Sequence, residues 1–492
     1  MLVCAVAAVF LASSGWIAWH RGIWYDEVWS LYFAHHDAGF GRAMAERWLK
    51  DNHPPLFYAL DWLVEPFVGD DLFAKRMLNV IPLCLAAAGL GWLARRDARA
   101  RPFVLVEALL ILATPHAFDA MIDHRSYMIQ LASGTVIAAG LFAVFIGERD
   151  YEPADRPLVW LIGAALLIGF NTHYFFAAIT GFLVAIFIVS LWLRGRRRWA
   201  VRLLAAACVA GIPLVATYLL QRSVLEGTAQ VFWADTSLAS GFRQIKLVAK
   251  SPWPINLIVA GAALWAVGRR LRKRDVEALP NGAIAYAATA AIAILAVTPI
   301  LLGINAVRPF IVPRYLIALV PFASGLLAAL AGRVVYDRFW LGCLVALGAL
   351  AGIHAAFALQ EPVRQWDATG RIVADAVRNC PSAIVHARPR WMIRGDQPPQ
   401  QVMANEPAIV RFGYAYEAQR WGFHLADETS TRIARRCPTL IWIEQHKPAS
   451  AADIAIWSGL AFTPEQIQHA KILTGETGFV VAYPAAVSNI AR

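Results

Sequence analysis

Apolar residues fill the first 360 positions in runs approaching twenty, most of them bounded by charges, turns or aromatics; 103–118, 158–170, 175–193, 203–220 and 284–303 are examples. A helix needs roughly twenty such residues to cross a bilayer core of about 30 Å, and so many long runs do not fit as core helices of one soluble domain. The pattern predicts about eleven transmembrane helices, near residues 2–20, 77–94, 103–118, 127–147, 157–173, 175–193, 200–220, 254–268, 283–303, 314–332 and 339–358. The first run lacks a basic lead-in and a small-residue cleavage site, so it reads as an uncleaved helix and not a signal peptide. Past residue 360 the texture changes. Short strand-like runs at 383–386, 440–444 and 479–483 alternate with helical stretches at 363–378 and 464–473. That alternation predicts a parallel α/β layer. Two domains follow: a membrane domain over 1–360 with a large first outer loop at 21–76, and a small α/β domain over 361–492.

Composition agrees, with 59% hydrophobic and 16% charged residues. Soluble chains run nearer half apolar and a quarter charged. The formal charge of +11 changes the picture more, because the basic residues cluster in short loops. Arg95, Arg96, Arg99 and Arg101 form one; Arg194, Arg196, Arg197, Arg198 and Arg202 another; Arg269, Arg270, Arg272, Lys273 and Arg274 a third. Short basic loops stay cytoplasmic, which fixes the orientation and sends residues 361–492 outward. A nucleic-acid reading would need a basic face on a soluble domain. The Ala- and Arg-rich composition and compact loops point to a bacterial inner membrane, with the outer side periplasmic. Cys4, Cys84, Cys208 and Cys343 fall in apolar runs and read as inert fillers. Cys380 and Cys437 each precede a proline at the start of a strand. Neighbouring parallel strands would bring them within about 5 Å, so the expectation is a Cys380–Cys437 disulfide on the oxidising outer side, against two unpaired thiols.

With that orientation the unusual polar residues gather at outer helix ends. Asp26 and Glu27 sit among Trp24, Tyr25, Trp29 and Tyr32. The set reads either as an interface belt with two solvated acids or as a general base partly desolvated by rings. His53 precedes Pro54 and Pro55, which lead into an amphipathic segment at 56–67 that carries Asp61 and Glu65 and is expected along the interface. Arg125, Arg308 and Arg314 also fall on this side, where a planar guanidinium suits phosphate oxygens, of a lipid head group or of a bound carrier. Helix centres are nearly free of charge, Glu107 being the main exception.

Taken in order, Tyr25-Asp26-Glu27, His53-Pro54-Pro55-Leu56, Arg76, Asp123-His124-Arg125-Ser126-Tyr127, Thr172-His173-Tyr174 and Pro313-Arg314-Tyr315 resemble the integral-membrane glycosyltransferases of the GT-C type. The branch in question includes protein O-mannosyltransferases, the aminoarabinose transferase acting on lipid A, and rhizobial lipopolysaccharide-core sugar transferases. The resemblance covers the membrane part, about 360 residues, and the Gln365-Trp366 start of the outer domain's first helix matches the α/β appendage of relatives. It implies an α-helical polytopic GT-C-like protein with a small extracytoplasmic α/β domain. It implies an inverting transferase that moves a hexose or pentose from a polyprenyl-phosphate carrier to a glycolipid, lipopolysaccharide or protein acceptor. Asp26 would be the base, supported by Glu27. His53, Asp123, His173 and Tyr174 would line the donor and acceptor site, and Arg76, Arg125, Arg308 and Arg314 would hold the phosphate. Glu27 and Asp123 are the candidates for a divalent cation, a role left open because the chain has Asp123-His124-Arg125 where relatives run Glu-Ala-Arg. Partners would be the carrier-linked sugar, the acceptor and membrane lipids, with no nucleic acid. The rival reading is a flippase-like transporter for a lipid-linked sugar, which would place ionisable groups near the midplane on broken helices. A scaffold that binds a partner through the outer domain is a third.

Overall fold

In a computed structural model the described residues are all but 148, 229–236, 250–252, 273–278, 308–310, 361–364, 389–405, 445–446 and 486–492. The chain forms two compact units. One comprises Met1–Trp19 and His36–Glu361, the other His20–His35 and Pro362–Arg492. The first outer loop is thereby divided, its opening stretch grouping with the C-terminal residues.

The described part of the first unit is built from helices. After α1 (Leu2–His20) come, beyond the short α2 (Tyr25–Ala34) of the other unit, α3 (Phe40–Glu46), α4 (Leu56–Val68), α5 (Leu72–Met77) and α6 (Val80–Arg96). Then follow α7 (Arg101–Leu112), α8 (Pro115–Ile122), α9 (Tyr127–Ile146), α10 (Arg156–Phe170), α11 (Tyr174–Leu193) and α12 (Arg197–Thr228). The unit closes with α13 (Leu238–Ala249), α14 (Trp253–Leu271), α15 (Asn281–Val307), α16 (Leu319–Asp337) and α17 (Phe339–Leu359). Nine described helices are long and apolar enough to span a membrane, and ten if the bent pair α7–α8 is one span. This is a multi-pass membrane protein. Each of the eleven expected runs is helical, but α14 ends on Arg269 and Arg270 and is not among those counted. Large side chains such as Trp160, Leu193 and Leu264 stay more than 70% exposed on helix surfaces, as a hydrocarbon solvent allows. α9 lies at the centre of the bundle, with 89% of its spanning window buried.

The run expected as one helix at 103–118 is broken. Pro115 lacks an N–H and biases Thr114 to extended backbone, so the helix stops and restarts at 66°. Thr114 caps the new start by accepting the Ala117 N–H at 3.1 Å. The kink aims α8 at the connector that carries Asp123, His124 and Arg125. Arg314, expected to open a spanning helix, instead lies in a 3-10 turn, Pro313–Leu316, ahead of α16.

The second unit holds a four-stranded sheet: β1 (Ile384–Ala387), β2 (Thr439–Glu444), β3 (Lys471–Thr474) and β4 (Gly478–Tyr483), in the order β1-β2-β4-β3. Around it lie α2, α18 (Asp367–Asn379), α19 (Glu406–Trp421), α20 (Ala451–Ser458) and α21 (Pro464–Gln468). Only β1 and β2 are parallel; β4 runs antiparallel to both β2 and β3. The expected all-parallel layer is therefore a mixed sheet. The helix expected over 464–473 ends at Gln468, and its second half is β3, which turns tightly into β4 where the Gly475 N–H donates to the Gly478 carbonyl at 2.8 Å. β2 is buried along its whole length, as a central strand covered on both faces should be.

Candidate functional site

The first unit buries two groups of charged side chains in the connectors between its spans and at span ends. Pro55 is the N-cap of α4; the turn before it carries Asp51 and His53, and Tyr58 lies in the first turn of the helix. The buried Asp51 Oδ2 accepts the Tyr58 hydroxyl at 2.8 Å and lies 2.9 Å from His53 Nδ1. Burial alone would raise the Asp51 carboxyl. His53, Tyr58 and Arg125 outweigh it and hold the group below its ordinary range. Asp51 is thus ionised, and it fixes the His53 ring through Nδ1. Burial and the Asp51 charge push the Tyr58 phenol well above its usual value, leaving it a neutral donor.

His173 faces this pair, its ring centroid 4.9 Å from that of His53 and 4.9 Å from that of Tyr315. It caps α11 through Nδ1, which accepts the Phe175 N–H at 3.2 Å. The ring proton therefore sits on Nε2, a buried donor with no hydrogen-bond partner among the described residues. Burial, then His53, Arg125 and Arg314, push the His173 pKa well below its usual value and keep the imidazole neutral. The result is a neutral N–H aimed into a region that two guanidinium groups make positive. Gln221 ties the walls together. Its Nε2 donates to the Trp48 carbonyl at 2.7 Å and the His53 carbonyl at 2.9 Å, and its Oε1 accepts the Tyr174 hydroxyl at 2.5 Å.

The second group is Asp61, Lys75 and His124, each at most 3% exposed in its side chain. Lys75 Nζ donates to Asp61 Oδ1 at 2.8 Å, and His124 Nε2 lies 2.7 Å from Asp61 Oδ2. Burial raises the Asp61 carboxyl, but His124 and Lys75 together bring it below its usual value. The trio fixes α4 and α5 against the start of α9 and so sets the place of Arg125, the next residue. Asn79 braces the same turn by donating to the carbonyls of Ala120, Met121 and Asp123 at 2.7–3.2 Å. The segment expected along the membrane interface is thus anchored by a buried Asp61.

Of the expected site residues, His53, Arg125, His173, Tyr174 and Arg314 are joined by these contacts and electrostatic effects. Asp123 forms the end of α8, with its carbonyl held by Asn79. Arg76 is fully buried and donates from Nη1 to the Ala18 carbonyl of α1 at 2.8 Å. Arg308 lies outside the described residues. Asp26 and Glu27 belong to the second unit, in the first turn of α2, where the helix dipole favours carboxylates. Glu27 is fully buried and its Oε2 accepts the Trp24 N–H at 3.4 Å; Asp26 is half-buried. Tyr25 donates to Glu406 Oε1 at 2.8 Å. Cys380 and Cys437 form a disulfide, with Cα atoms 5.7 Å apart, at the start of the parallel β1 and β2. Among the described residues no three His, Cys, Asp or Glu side chains are placed to hold a metal ion.

Asp51, Tyr58 and Gln221 are not among the residues expected at the site, and Asp61 is expected only as a charged position of the interfacial segment. Asp51 stands two residues before His53, and Gln221 is a lone amide at the end of an apolar run. Both are signals of a buried polar contact, but neither names its partner.

No family model and no curated protein matches the chain. Solved structures do. The crystal structure of ArnT from Cupriavidus metallidurans bound to undecaprenyl phosphate superposes with a TM-score of 0.57 at 14% identity, over 100% of this chain and 98% of that one. Its apo state gives 0.56 at 12% identity, over 98% and 97%. Over essentially its whole length, this chain has the GT-C-like fold of ArnT.

Proposed function

We propose that the protein is an inverting glycosyltransferase that moves a sugar from a polyprenyl-phosphate carrier to an envelope acceptor at the periplasmic face. The observation that carries the reading is the buried donor of His173 beside Arg125 and Arg314, in a chain whose fold is that of a protein crystallised with undecaprenyl phosphate. The arginine-rich loops, taken as cytoplasmic, put this cluster at the opposite ends of the spans.

The donor carries its own leaving group. The acceptor hydroxyl oxygen attacks the anomeric carbon as the bond from that carbon to the phosphate oxygen breaks. The anomeric configuration inverts, the bonding pair leaves with the polyprenyl phosphate, and the hydroxyl proton goes to a base. What the protein must supply is positive charge and hydrogen-bond donors for the departing phosphate and a base for the acceptor. Arg125 and Arg314 supply the charge, and neutral His173 adds an N–H that needs no reorganisation. Asp26 remains the assigned base from its place in the sequence motif. His53, held by Asp51 through Nδ1, orients a substrate hydroxyl. The acceptor is a glycolipid, a lipopolysaccharide or a protein of the envelope. The rival transporter reading places ionisable groups at span centres, whereas this cluster occupies connectors.

The test compares envelope glycolipids by mass spectrometry in a strain lacking the gene and in strains restored with wild type, Asp26→Asn or Arg314→Met, each shown to reach the membrane. The reading expects a species lacking one sugar in the deletion and both variants, restored by wild type. Full restoration by Arg314→Met removes the phosphate role. Full restoration by Asp26→Asn moves the base elsewhere, with the Asp51–His53 pair next in line.

A further inference from the structure

At the other end of the first unit, between the α6–α7, α9–α10 and α11–α12 connectors, lies a cavity of about 560 Å³. Arg96, Arg99, Arg149 and Arg196 line it, against Asp97 and Asp155, and with Glu152 paired to Arg149 the four positive and three negative described groups leave +1. The bland account is an internal ion-pair network. Arg96 does donate to Asp155 at 2.7 Å, Arg99 to Asp97 at 2.8 Å and Arg149 to Glu152 at 2.7 Å. The Arg96–Asp155 pair is the more buried one, and the Arg99–Asp97 and Arg149–Glu152 pairs lie toward solvent. The Arg99 side chain is 60% exposed and that of Arg149 56%, and exposed pairs of this kind contribute little. Arg196 differs. It is only 8% exposed, and its Nη1 is fixed to the Val144 carbonyl at 2.7 Å. One buried guanidinium at the back and exposed ones at the rim make a receptor for an anion larger than a carboxylate.

We propose that this cavity binds the phosphodiester head group of an anionic phospholipid. The chemistry fits phosphate because the planar fork of arginine matches its oxygens two at a time. The place fits a lipid because the cavity sits where spans end, and basic pockets between transmembrane helices hold acidic head groups. The proposal stands apart from the transferase reading, since none of these residues belongs to the His173 cluster.

The full-length protein in neutral detergent is titrated with phosphatidylglycerol, with phosphatidylcholine, or with inorganic phosphate, and binding is followed by native mass spectrometry. Labelling of arginines with phenylglyoxal is read in parallel, peptide by peptide. Wild type should take up phosphatidylglycerol at roughly tenfold lower concentration than phosphatidylcholine, and phosphatidylglycerol should protect Arg99 and Arg149 from the reagent. The Arg99→Gln/Arg149→Gln form, altered only at exposed side chains, should lose that preference. Equal binding of the two lipids, or an unchanged preference in the double variant, overturns the proposal. Protection by inorganic phosphate but not by phosphatidylglycerol overturns the lipid assignment and gives the cavity to a soluble phosphate ester. The labelling arm needs no variant, so it decides the matter even if the double variant does not fold.

Discussion

His173 illustrates how a single hydrogen bond sets the chemistry of a ring. Because Nδ1 is occupied by the Phe175 N–H, the only proton on the neutral imidazole points inward from Nε2. His173→Phe preserves the ring and removes the donor. In a purified transfer assay it should lower turnover by about 10²-fold, the loss typical of one preorganised oxyanion donor. His173→Asn, which can still donate, should recover part of it. Equal rates for wild type and the Phe form would take His173 out of the reaction. The Asp61–Lys75–His124 trio makes a different prediction. Asp61→Asn leaves the buried Lys75 without its counter-charge and should destabilise the first unit by about 3–5 kcal/mol, whereas Asp61→Leu with Lys75→Met should restore most of that. Thermal unfolding of the two forms side by side checks the sign.

The same connectors also show what sequence can and cannot convey about elements. Span-length apolar runs declare their own helices, so the eleven expected runs all fold as helices. Breaks are harder, because they are set by one residue. Pro115 was visible, but its effect depends on whether neighbouring helices accept a 66° bend. In the C-terminal part, Pro464 to Gln468 has the composition of a helix and forms one, yet Lys471–Thr474 is a strand because β4 lies beside it. Pairing, not local propensity, decides such a segment. Helix contacts are equally non-local. A methyl group on Gly332 of α16 would come within 3.0 Å of the Pro102 backbone at the start of α7. Backbone cannot yield as a side chain does, so Gly332→Val should push α16 off α7 and lower the melting temperature of the solubilised protein, while Gly91→Val on α6, where nothing lies within 4 Å, should not. Matching melts for the two would mean the close approach is not needed.

For the whole molecule, the two units depend on pH with opposite signs. Asp51 and Asp61 in the first unit are held below the usual carboxylate range. Their contribution is present above the unfolded pKa of 3.8 and is lost as pH falls through the lower folded values. In the second unit burial pushes Glu444 up to about 8 and Glu417 up to about 7, from 4.5. Their contribution is full below 4.5 and is lost as pH rises through 7 and 8. Hydrogen exchange of the intact protein, corrected for intrinsic rates, should show β2 and β4 loosening from pH 5 to pH 9. Glu444→Gln should flatten that profile. A flat wild-type profile would show that burial does not hold these acids protonated. None of this was legible beforehand, because burial of Glu417 and Glu444 depends on which residues surround them. The fold class was legible, being written in runs of apolar residues, and so were the motif residues His53, Arg125, His173 and Arg314. Their partners Asp51 and Gln221 were not, because they are joined by contacts between distant parts of the chain.

The division of the chain also has a consequence for its synthesis. Residues 20–35 belong with a unit whose remaining part is translated last. Val28, Leu31 and Phe33 of α2 are essentially fully buried, with Val28 against Gly413 of α19 and Tyr32 stacked edge-on to Phe412. While the ribosome adds every intervening span, that apolar surface has no native cover. A premature stop anywhere before Glu406 leaves it permanently bare, so an otherwise inserted bundle would display, near its first helix, a mark of incomplete synthesis that a chaperone or protease can read.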